Sequence, residues 1–196
     1  MADPVEFESE VQKFRPYLLV LARGQIPRSL QGRIEASDVV QDTLLEAFRK
    51  QSDFRGSNAQ TLAGWLRSLL NYNMIDAVRR HSRLSRDVAR EIRAPRSMEE
   101  SALGLEGLLI ADQSTPSHHF ANEQRSIQLA IAIEALPATQ RDAILMRYTQ
   151  AMSIAEIAAA IDKTNVAVAG LLKRGLANLR ESLARSNATD FGNKLL

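Results

Sequence analysis

The stretch SIAEIAAAIDKTNVAVAGLLKRGLANLRE, residues 153–181, decides the fold of the C-terminal part of this 196-residue chain. Ser153 and Glu156 have the spacing of a capping box, in which each side chain accepts a hydrogen bond from the backbone N–H of the other residue. Met152 precedes the box and predicts a hydrophobic staple to Ile157. The apolar residues after the cap share one helix face: Ile154, Ile157, Ala158 and Ile161. A short capped helix is therefore predicted directly after Ser153.

After a polar break at residues 162–164, a second helix is predicted from about Asn165 to Ala184. Its buried stripe is predicted to consist of Val168, Leu172, Leu176, Leu179 and Leu183. Two helices joined by such a short turn form a helix-turn-helix, whose second helix enters the major groove in DNA-binding proteins.

The opposite face of this second helix is small and partly basic. It consists of Val166, Ala167, Gly170, Lys173, Arg174 and Ala177. Small side chains let a backbone approach DNA and contact thymine methyl groups, and basic side chains bind phosphates or guanine edges. Alternatively, the small residues only tolerate exposure to solvent.

The N-terminal part, residues 5–93, also has a helical pattern. Its first apolar face consists of Phe7, Val11, Phe14, Leu18 and Leu21. Pro16 lies within this face and either kinks a helix or marks the start of one. A second helix is predicted from about Ser37 to Lys50, and a third from about Thr61 to His81. The predicted buried side of the third helix consists of Leu62, Leu66, Leu69, Leu70 and Ala77.

Residues 94–121 separate these two parts and are acidic and loop-like. Helix-interrupting residues punctuate them: Pro95, Gly104, Gly107 and Pro116. The sequence therefore predicts an all-α fold with two small helical domains, residues 1–93 and 122–196, joined by a flexible linker at residues 94–121.

Composition argues against several classes of function. The chain has no Cys, and its three His have no ligand-like spacing, so neither disulfides nor a zinc site is expected. No cofactor, catalytic residue or small-molecule substrate is predicted, because phosphoryl-transfer chemistry needs converging metal ligands or a phosphate-cradling loop. The N-terminus lacks a secretory pattern, and no apolar run is long enough to span a membrane. A cytoplasmic protein without membrane attachment is expected.

The net charge is only +2, but arginines concentrate at the end of the third predicted helix. They are Arg79, Arg80, Arg83, Arg86, Arg90 and Arg93. Such a cluster is typical of a surface that binds a polyanion, although a solvated helix face is the alternative.

The order and spacing of several motifs point to one protein family. The motifs are DVVQDTLLEAFR (38–49), FRG (54–56), WLRSLLNYNMIDAVRR (65–80), LPATQRDAILMRY (136–148), SIAEIAAAI (153–161) and VAGLLKRGLANLRE (168–181). Over about residues 5–185 the chain resembles the extracytoplasmic-function (ECF) sigma factors of bacterial RNA polymerase, which have only regions 2 and 4 of the main sigma family. The resemblance implies a region 2-like domain that binds core polymerase and melts the minus-ten element, and a region 4-like domain that reads the minus-thirty-five element.

The second predicted helix resembles the element that docks on the clamp helices of the largest polymerase subunit. Asp38, Asp42 and Glu46 share one helix face, where carboxylates repel one another unless a basic surface meets them. The residues expected to bind core polymerase are Asp38, Gln41, Asp42 and Glu46. An ordinary solvated face is the alternative.

The third predicted helix resembles the element that recognises and melts the minus-ten region. Amide side chains can read an extruded base, an aromatic ring can stack on it, and arginines can hold phosphates. The residues expected to contact this DNA are Ser68, Asn71, Tyr72, Arg79, Arg80 and Arg83. Many relatives have Asn where this chain has Tyr72. Trp65 is expected to be a core residue rather than a base reader.

The helix-turn-helix is expected to contact the minus-thirty-five element through its second helix and the turn before it. The expected contacts are Thr164, Asn165, Ala167, Gly170, Lys173 and Arg174. This chain departs from many relatives at residues 169–171, where Ala, Gly and Leu replace Lys, Ser and Arg.

The partners that the resemblance implies are core RNA polymerase, promoter DNA and an anti-sigma factor. On the polymerase, contacts are expected with the clamp helices of the largest subunit and the flap of the second-largest subunit. A stand-alone helix-turn-helix regulator is the main alternative, and it leaves residues 38–49 and 65–80 without a purpose. A helical adaptor and a nucleic-acid enzyme are weaker alternatives.

Overall fold

The chain separates into two compact units, and each is described by itself. The computed structural model describes residues 4–26, 30–56, 58–82 and 122–192. The units are Met1–Ala102 and Leu103–Leu196. Within the described residues the regular elements are helices, which confirms the all-α prediction. The predicted linker at 94–121 and the arginines from Arg83 to Arg93 lie outside the described residues.

The N-terminal unit contains four described α-helices and one short 3-10 turn. They are α1 (Pro4–Lys13), α2 (Arg15–Gln25), α3 (Ala36–Arg49), the 3-10 turn Gln51–Asp53 and α4 (Ala59–Ser82).

The first predicted helical stretch consists of two helices that meet at Phe14. Pro16 lies in the first turn of α2, where its missing N–H deprives the helix of no hydrogen bond. Pro16 therefore marks the start of a helix and does not kink one. The Leu18 N–H donates to the Phe14 carbonyl at 2.9 Å, so the apolar face continues across the break, with Phe7, Val11, Phe14, Leu18 and Leu21 all buried.

Helices α3 and α4 pack against each other and against α2. The predicted buried side of α4 is confirmed: Leu62, Leu66, Leu69, Leu70 and Ala77 are buried. Phe7, Phe54 and Trp65 form an aromatic cluster beside this core, with the Phe54 and Trp65 ring centroids 5.3 Å apart. Trp65, predicted to be a core residue, is only half-buried and lies in this cluster at the edge of the core.

The C-terminal unit contains four described helices. They are α5 (Asn122–Glu134), α6 (Ala138–Tyr148), α7 (Ile154–Ala160) and α8 (Asn165–Gly192). The long helix α8 packs against the other three. Pro137 separates α5 from α6, and α6, α7 and α8 enclose a small apolar core.

The buried stripe of α8 is confirmed only in part. Val168 and Leu179 are buried as expected, whereas Leu172, Leu176 and Leu183 are only half-buried. Leu171, which was not predicted, is buried instead of Leu172. Residues three and four positions after Val168 flank the same face equally in an ideal helix. Of the two, Leu171 is buried in the apolar core that α8 forms with α6 and α7, and Leu172 only borders it. Gly175 completes the face: a Cβ there would lie 3.2 Å from Cγ1 of Ile144, so glycine permits close approach of α6 and α8.

Candidate functional site

The N-terminal unit presents a carboxylate-bearing face on α3. Asp38, Gln41 and Asp42 are exposed on it. Asp38 and Asp42 are one helical turn apart and so lie on the same side of α3. Leu45, 44% exposed, lies next along this helix and adds an apolar contact area. The face thus offers two carboxylates and one amide around a leucine, a composition suited to a basic protein surface.

Glu46, the third predicted acid, is engaged within the unit. Its carboxylate accepts hydrogen bonds from Nζ of Lys50 at 2.7 Å and from Nδ2 of Asn73 at 2.9 Å. The Asn73 amide also donates to Oγ1 of Thr43 at 3.3 Å. Because Asn73 belongs to α4, these bonds join α3 to α4. We call Thr43, Glu46, Lys50 and Asn73 the interhelix bracket.

The hydrogen bonds of the interhelix bracket shift the pKa values of Glu46 and Lys50. The hydrogen bond from Lys50 lowers the pKa of Glu46, partial burial opposes this effect, and the Asn73 hydrogen bond adds to it. The hydrogen bond that Lys50 donates to Glu46 also raises the pKa of Lys50. Glu46 therefore shares a helix face with Asp38 and Asp42, as predicted, but its charge is already matched.

The sequence analysis missed the role of Asn73, although a signal was present. Asn73 lies four residues after Leu69 and three after Leu70, at the edge of the buried stripe of α4. A polar residue at that register position faces the neighbouring helix and needs a partner there.

The three consecutive polar residues of α4 have different surroundings. Asn73 is bonded to α3, Asn71 is half-buried, and Tyr72 is 67% exposed. Tyr72 therefore presents most of its ring to solvent, where it can stack on a planar group such as a base. Ile75, 37% exposed, follows it on the helix surface.

Other predicted contact residues of α4 bond to their own helix. The Ser68 hydroxyl donates to the Gly64 carbonyl at 3.1 Å. Arg79 and Arg80 are exposed at the end of α4; Arg79 lies 3.9 Å from the Asp76 carboxylate, and Nε of Arg80 donates to the Asp76 carbonyl at 3.4 Å. Arg83 lies outside the described residues.

The C-terminal unit contains the predicted helix-turn-helix, formed by α7 and α8. The capping box is complete: the Glu156 N–H donates to Oγ of Ser153 at 3.2 Å, and the Ser153 N–H donates to Oε2 of Glu156 at 2.8 Å. Met152 packs on the same apolar cluster as Ile157, which is the contact expected of a hydrophobic staple.

Residues 161–164 turn the chain from α7 into α8. Asp162 has φ of 51°, a left-handed conformation that aspartate tolerates better than most residues. The Lys163 N–H donates to the Ala158 carbonyl at 3.0 Å. Thr164 then accepts a hydrogen bond on its hydroxyl from the Ala167 N–H at 3.2 Å. Thr164, predicted as a DNA contact, therefore caps the N-terminus of α8.

The exposed face of α8 contains the remaining predicted residues. Asn165, Lys173 and Arg174 are exposed, whereas Ala167 and Gly170 are half-buried. Val166 is 83% exposed at the first turn of the helix, so this turn presents both an amide and a branched apolar group.

Two further properties bear on function. Among the described residues, no cluster of three or more His, Asp or Glu side chains is arranged to hold a metal ion. None of the described helices has the length and apolar character needed to cross a membrane.

Comparison with known proteins places both units in one family. Residues 11–84 match the family model for sigma-70 region 2, and residues 126–179 match the model for sigma-70 region 4. The chain is 24% identical over 156 residues to the ECF RNA polymerase sigma factor SigE of Mycolicibacterium smegmatis, an alignment that covers 79% of the chain and 54% of that relative. The chain thus spans about half the length of that curated relative.

A solved structure is also similar to the chain. It is a co-crystal structure of the sigma factor RpoE in complex with the anti-sigma factor NepR from Bartonella quintana, at 21% identity and a TM-score of 0.34, over 92% of this chain and 95% of that one. The region 2 match precedes the region 4 match along the chain, and the SigE alignment covers 79% of the chain. The chain therefore belongs to the sigma-70 family as an ECF-type sigma factor.

Proposed function

We propose that this protein binds core RNA polymerase and directs it to promoters in the cytoplasm, without covalent chemistry of its own. The observation that carries the proposal is the presence, in one chain of the sigma-70 family, of an exposed carboxylate face on α3 and a capped helix-turn-helix at α7 and α8. A single large partner that binds both surfaces, such as polymerase on promoter DNA, accounts for the presence of both in one chain.

The proposed polymerase contact is the face of α3 around Asp38, Gln41 and Asp42. Its carboxylates would meet a basic surface on the clamp helices of the largest subunit, which supplies steering and register. Leu45 would add buried apolar area at the same contact. Glu46 would act indirectly, by keeping α3 fixed against α4 through the interhelix bracket.

The proposed minus-ten contact is the exposed side of α4. An unpaired base would stack on Tyr72, with the Asn71 amide and the Ser68 hydroxyl beside it. The DNA backbone phosphates next to this base would be bound by arginines that follow Tyr72 in the sequence: Arg79, Arg80 and Arg83. Extruding a base costs about a few kcal/mol, which stacking and pocket contacts can offset without ATP.

The proposed minus-thirty-five contact is the exposed face of α8. Asn165, Val166 and Ala167 lie in the first turn, which is the part of a recognition helix that meets base edges. Lys173 and Arg174 lie two turns further along and can bind phosphates or guanine. In this proposal Thr164 contributes by capping the helix whose first turn enters the groove.

A stand-alone helix-turn-helix regulator is the second candidate, favoured by the complete capping box of α7. It explains only residues of the C-terminal unit, and the region 2 match at 11–84 has no role in it. An anti-sigma factor is a further proposed partner, on the family resemblance alone.

The deciding experiment mixes the purified chain with bacterial core RNA polymerase and follows complex formation by gel filtration. Fragments of genomic DNA from the source organism are then tested for binding and for transcript synthesis. We expect a stable complex, and specific DNA binding and transcripts only when chain and polymerase are both present. Specific binding to duplex DNA by the chain alone, with no polymerase complex, would establish the regulator instead.

A further inference from the structure

Helix α8 contains two glycines that interrupt its side-chain surface in different ways. Gly175 is buried against Ile144 of α6, so helix packing accounts for it. Gly170 is half-buried, and the atoms nearest to the position of its missing Cβ belong to the same helix rather than to a neighbouring one. Because glycine in a helix interior is less favourable than alanine, helix packing does not explain Gly170.

The space above Gly170 is occupied by a side chain of the same helix. A Cβ built on Gly170 would lie 3.3 Å from Nη1 of Arg174, 3.7 Å from Nη2 and 3.8 Å from Cζ. The guanidinium of Arg174 therefore lies beside the position that a Cβ of Gly170 would take, one turn nearer the start of α8. This direction is the one in which long helical side chains lean.

We propose that Gly170 is a positioning residue, whose missing Cβ lets Arg174 present its guanidinium to a guanine in the upstream promoter element. The inference depends on the proposed promoter-binding function and assigns a specific base to this helix. A planar guanidinium recognises O6 and N7 of guanine through two parallel hydrogen bonds, and it can do so only at a defined height above the groove floor.

The position of the guanidinium favours a base over a phosphate. Recognition helices contact base edges mainly with residues near the N-terminus. Because the guanidinium of Arg174 lies beside Gly170, its charge is close to the helix surface and one turn nearer the N-terminus of α8 than the Arg174 backbone. An added methyl group at residue 170 would lie 3.3 Å from Nη1 of Arg174, which is tighter than ordinary contact, so the guanidinium would have to shift by a few tenths of an ångström from its position beside the helix.

The test is selection from a duplex DNA library with a randomised upstream element, using polymerase holoenzyme assembled with each variant. We expect the wild-type chain to select guanine at one position. Gly170→Ala should lose this preference and bind the selected sequence about tenfold more weakly, while its unfolding midpoint rises because alanine favours the helix. Gly64→Ala is the matched control, since a Cβ there meets only Nη2 of Arg67 at 3.7 Å.

A double-mutant cycle separates positioning from a direct effect of the methyl group. Arg174→Ala should lose the same guanine preference, and adding Gly170→Ala to it should cause no further loss. Independent, additive losses would overturn the positioning role. Uniform weakening on all sequences in Arg174→Ala, with a smaller salt dependence, would overturn base recognition and show a phosphate contact.

The outcomes also distinguish this inference from the proposed function. If the wild-type holoenzyme selects an upstream element and Gly170→Ala selects the same element with equal affinity, the positioning role is wrong and the sigma function stands. If the wild-type chain forms no holoenzyme, the proposed function itself fails, and the inference fails with it.

Discussion

In the N-terminal unit, hydrogen bonds between residues far apart in sequence join α3 to α4 and α4 to α2. In the C-terminal unit, the starts of α7 and α8 are instead stabilised by hydrogen bonds within a few residues. Asn73 reaches Glu46 across 27 positions, and Arg67 reaches the hydroxyl of Tyr17 across 50. The bonds of Ser153 with Glu156 and of Thr164 with Ala167 span three positions each.

This difference has a consequence for how mutations act. A change at a long-range contact in the N-terminal unit alters the relative placement of α3 and α4, and with it both proposed surfaces, the one for polymerase and the one for the minus-ten element. A change in a cap of the C-terminal unit, at the start of α7 or of α8, alters the stability of that one helix and leaves the order of the elements intact. The predictions below test this contrast, from the largest expected effect to the smallest.

Reversing the charge of the α3 face should have the largest effect. Asp38→Lys with Asp42→Lys is expected to weaken binding to core polymerase by about 100-fold or more, because opposed like charges at an interface cost several kcal/mol. Binding is measured by fluorescence anisotropy with labelled chain. Glu6→Lys with Glu8→Lys, the same charge change at exposed positions of α1, is the control. Equal affinity of the α3 variant and wild type would refute the assignment.

Removing the two cations of α8 should separate the roles of the units. Lys173→Ala with Arg174→Ala is expected to lower the promoter affinity of the holoenzyme by about 10- to 100-fold, as loss of a base or phosphate contact does. The affinity for core polymerase should stay unchanged. Arg180→Ala with Arg185→Ala, exposed positions later in α8, is the control. Loss of polymerase binding instead would mean that the roles of the two units are reversed.

Breaking the interhelix bracket should destabilise the N-terminal unit. Asn73→Ala is expected to lower its free energy of unfolding by about 1.5 kcal/mol, because the Glu46 carboxylate and the Thr43 hydroxyl lose a donor. Thermal unfolding followed by circular dichroism measures the change. The exposed variant Glu8→Gln should leave the unfolding midpoint as in wild type, and an unchanged midpoint in Asn73→Ala would show that the bracket contributes nothing.

The bracket also predicts a pH dependence. The pKa of Glu46 is lowered in the folded chain from its usual value of 4.5, so its contribution is fully present above pH 4.5 and is lost as pH falls through the lower folded value. Wild type should therefore lose stability in this acid range more steeply than Glu46→Gln. Parallel stability curves for the two proteins between pH 3 and pH 6, about the range of carboxylate titration, would contradict the prediction.

Removing the cap of α7 should have the smallest effect. Ser153→Ala is expected to cost about 1 kcal/mol and to act on the C-terminal unit alone, since only the local cap is lost. Amide hydrogen exchange, resolved for each unit, measures this. Ser153→Thr keeps the hydroxyl and should restore most of the stability. Faster exchange in α3 or α4 of the alanine variant would contradict the local character of the cap.

Much of the fold could be predicted from the sequence because its helices carry clear boundary signals. Ser153 and Glu156 fixed the start of α7, and the leucines of α4 lie on the predicted face. The break at Phe14 was less certain, because a proline in an apolar pattern is compatible with a kink or a start. Leu171 was missed because residues 171 and 172 flank the face of Val168 equally in an isolated helix. Only packing against neighbouring helices determines which of the two is buried.

The candidate surfaces were predicted less completely than the helices. The face containing Asp38 and Asp42 follows from helical spacing alone. Whether Glu46 remains available depends on Asn73, a residue on another helix. The hydrogen bond between Asn73 and Glu46 depends on how α3 and α4 are aligned with each other, and no local sequence pattern encodes that alignment.

The sequence by itself determined the helices, their caps and the polar break that makes the helix-turn-helix, because these depend on groups within one or two turns of each other. It also determined the family, through motifs in a fixed order. Only the tertiary structure decided that Asn73 holds Glu46, that Leu171 is buried and that Gly175 lies against Ile144. These contacts depend on how whole helices are placed side by side, and that placement minimises the free energy of the packed core rather than of any one segment.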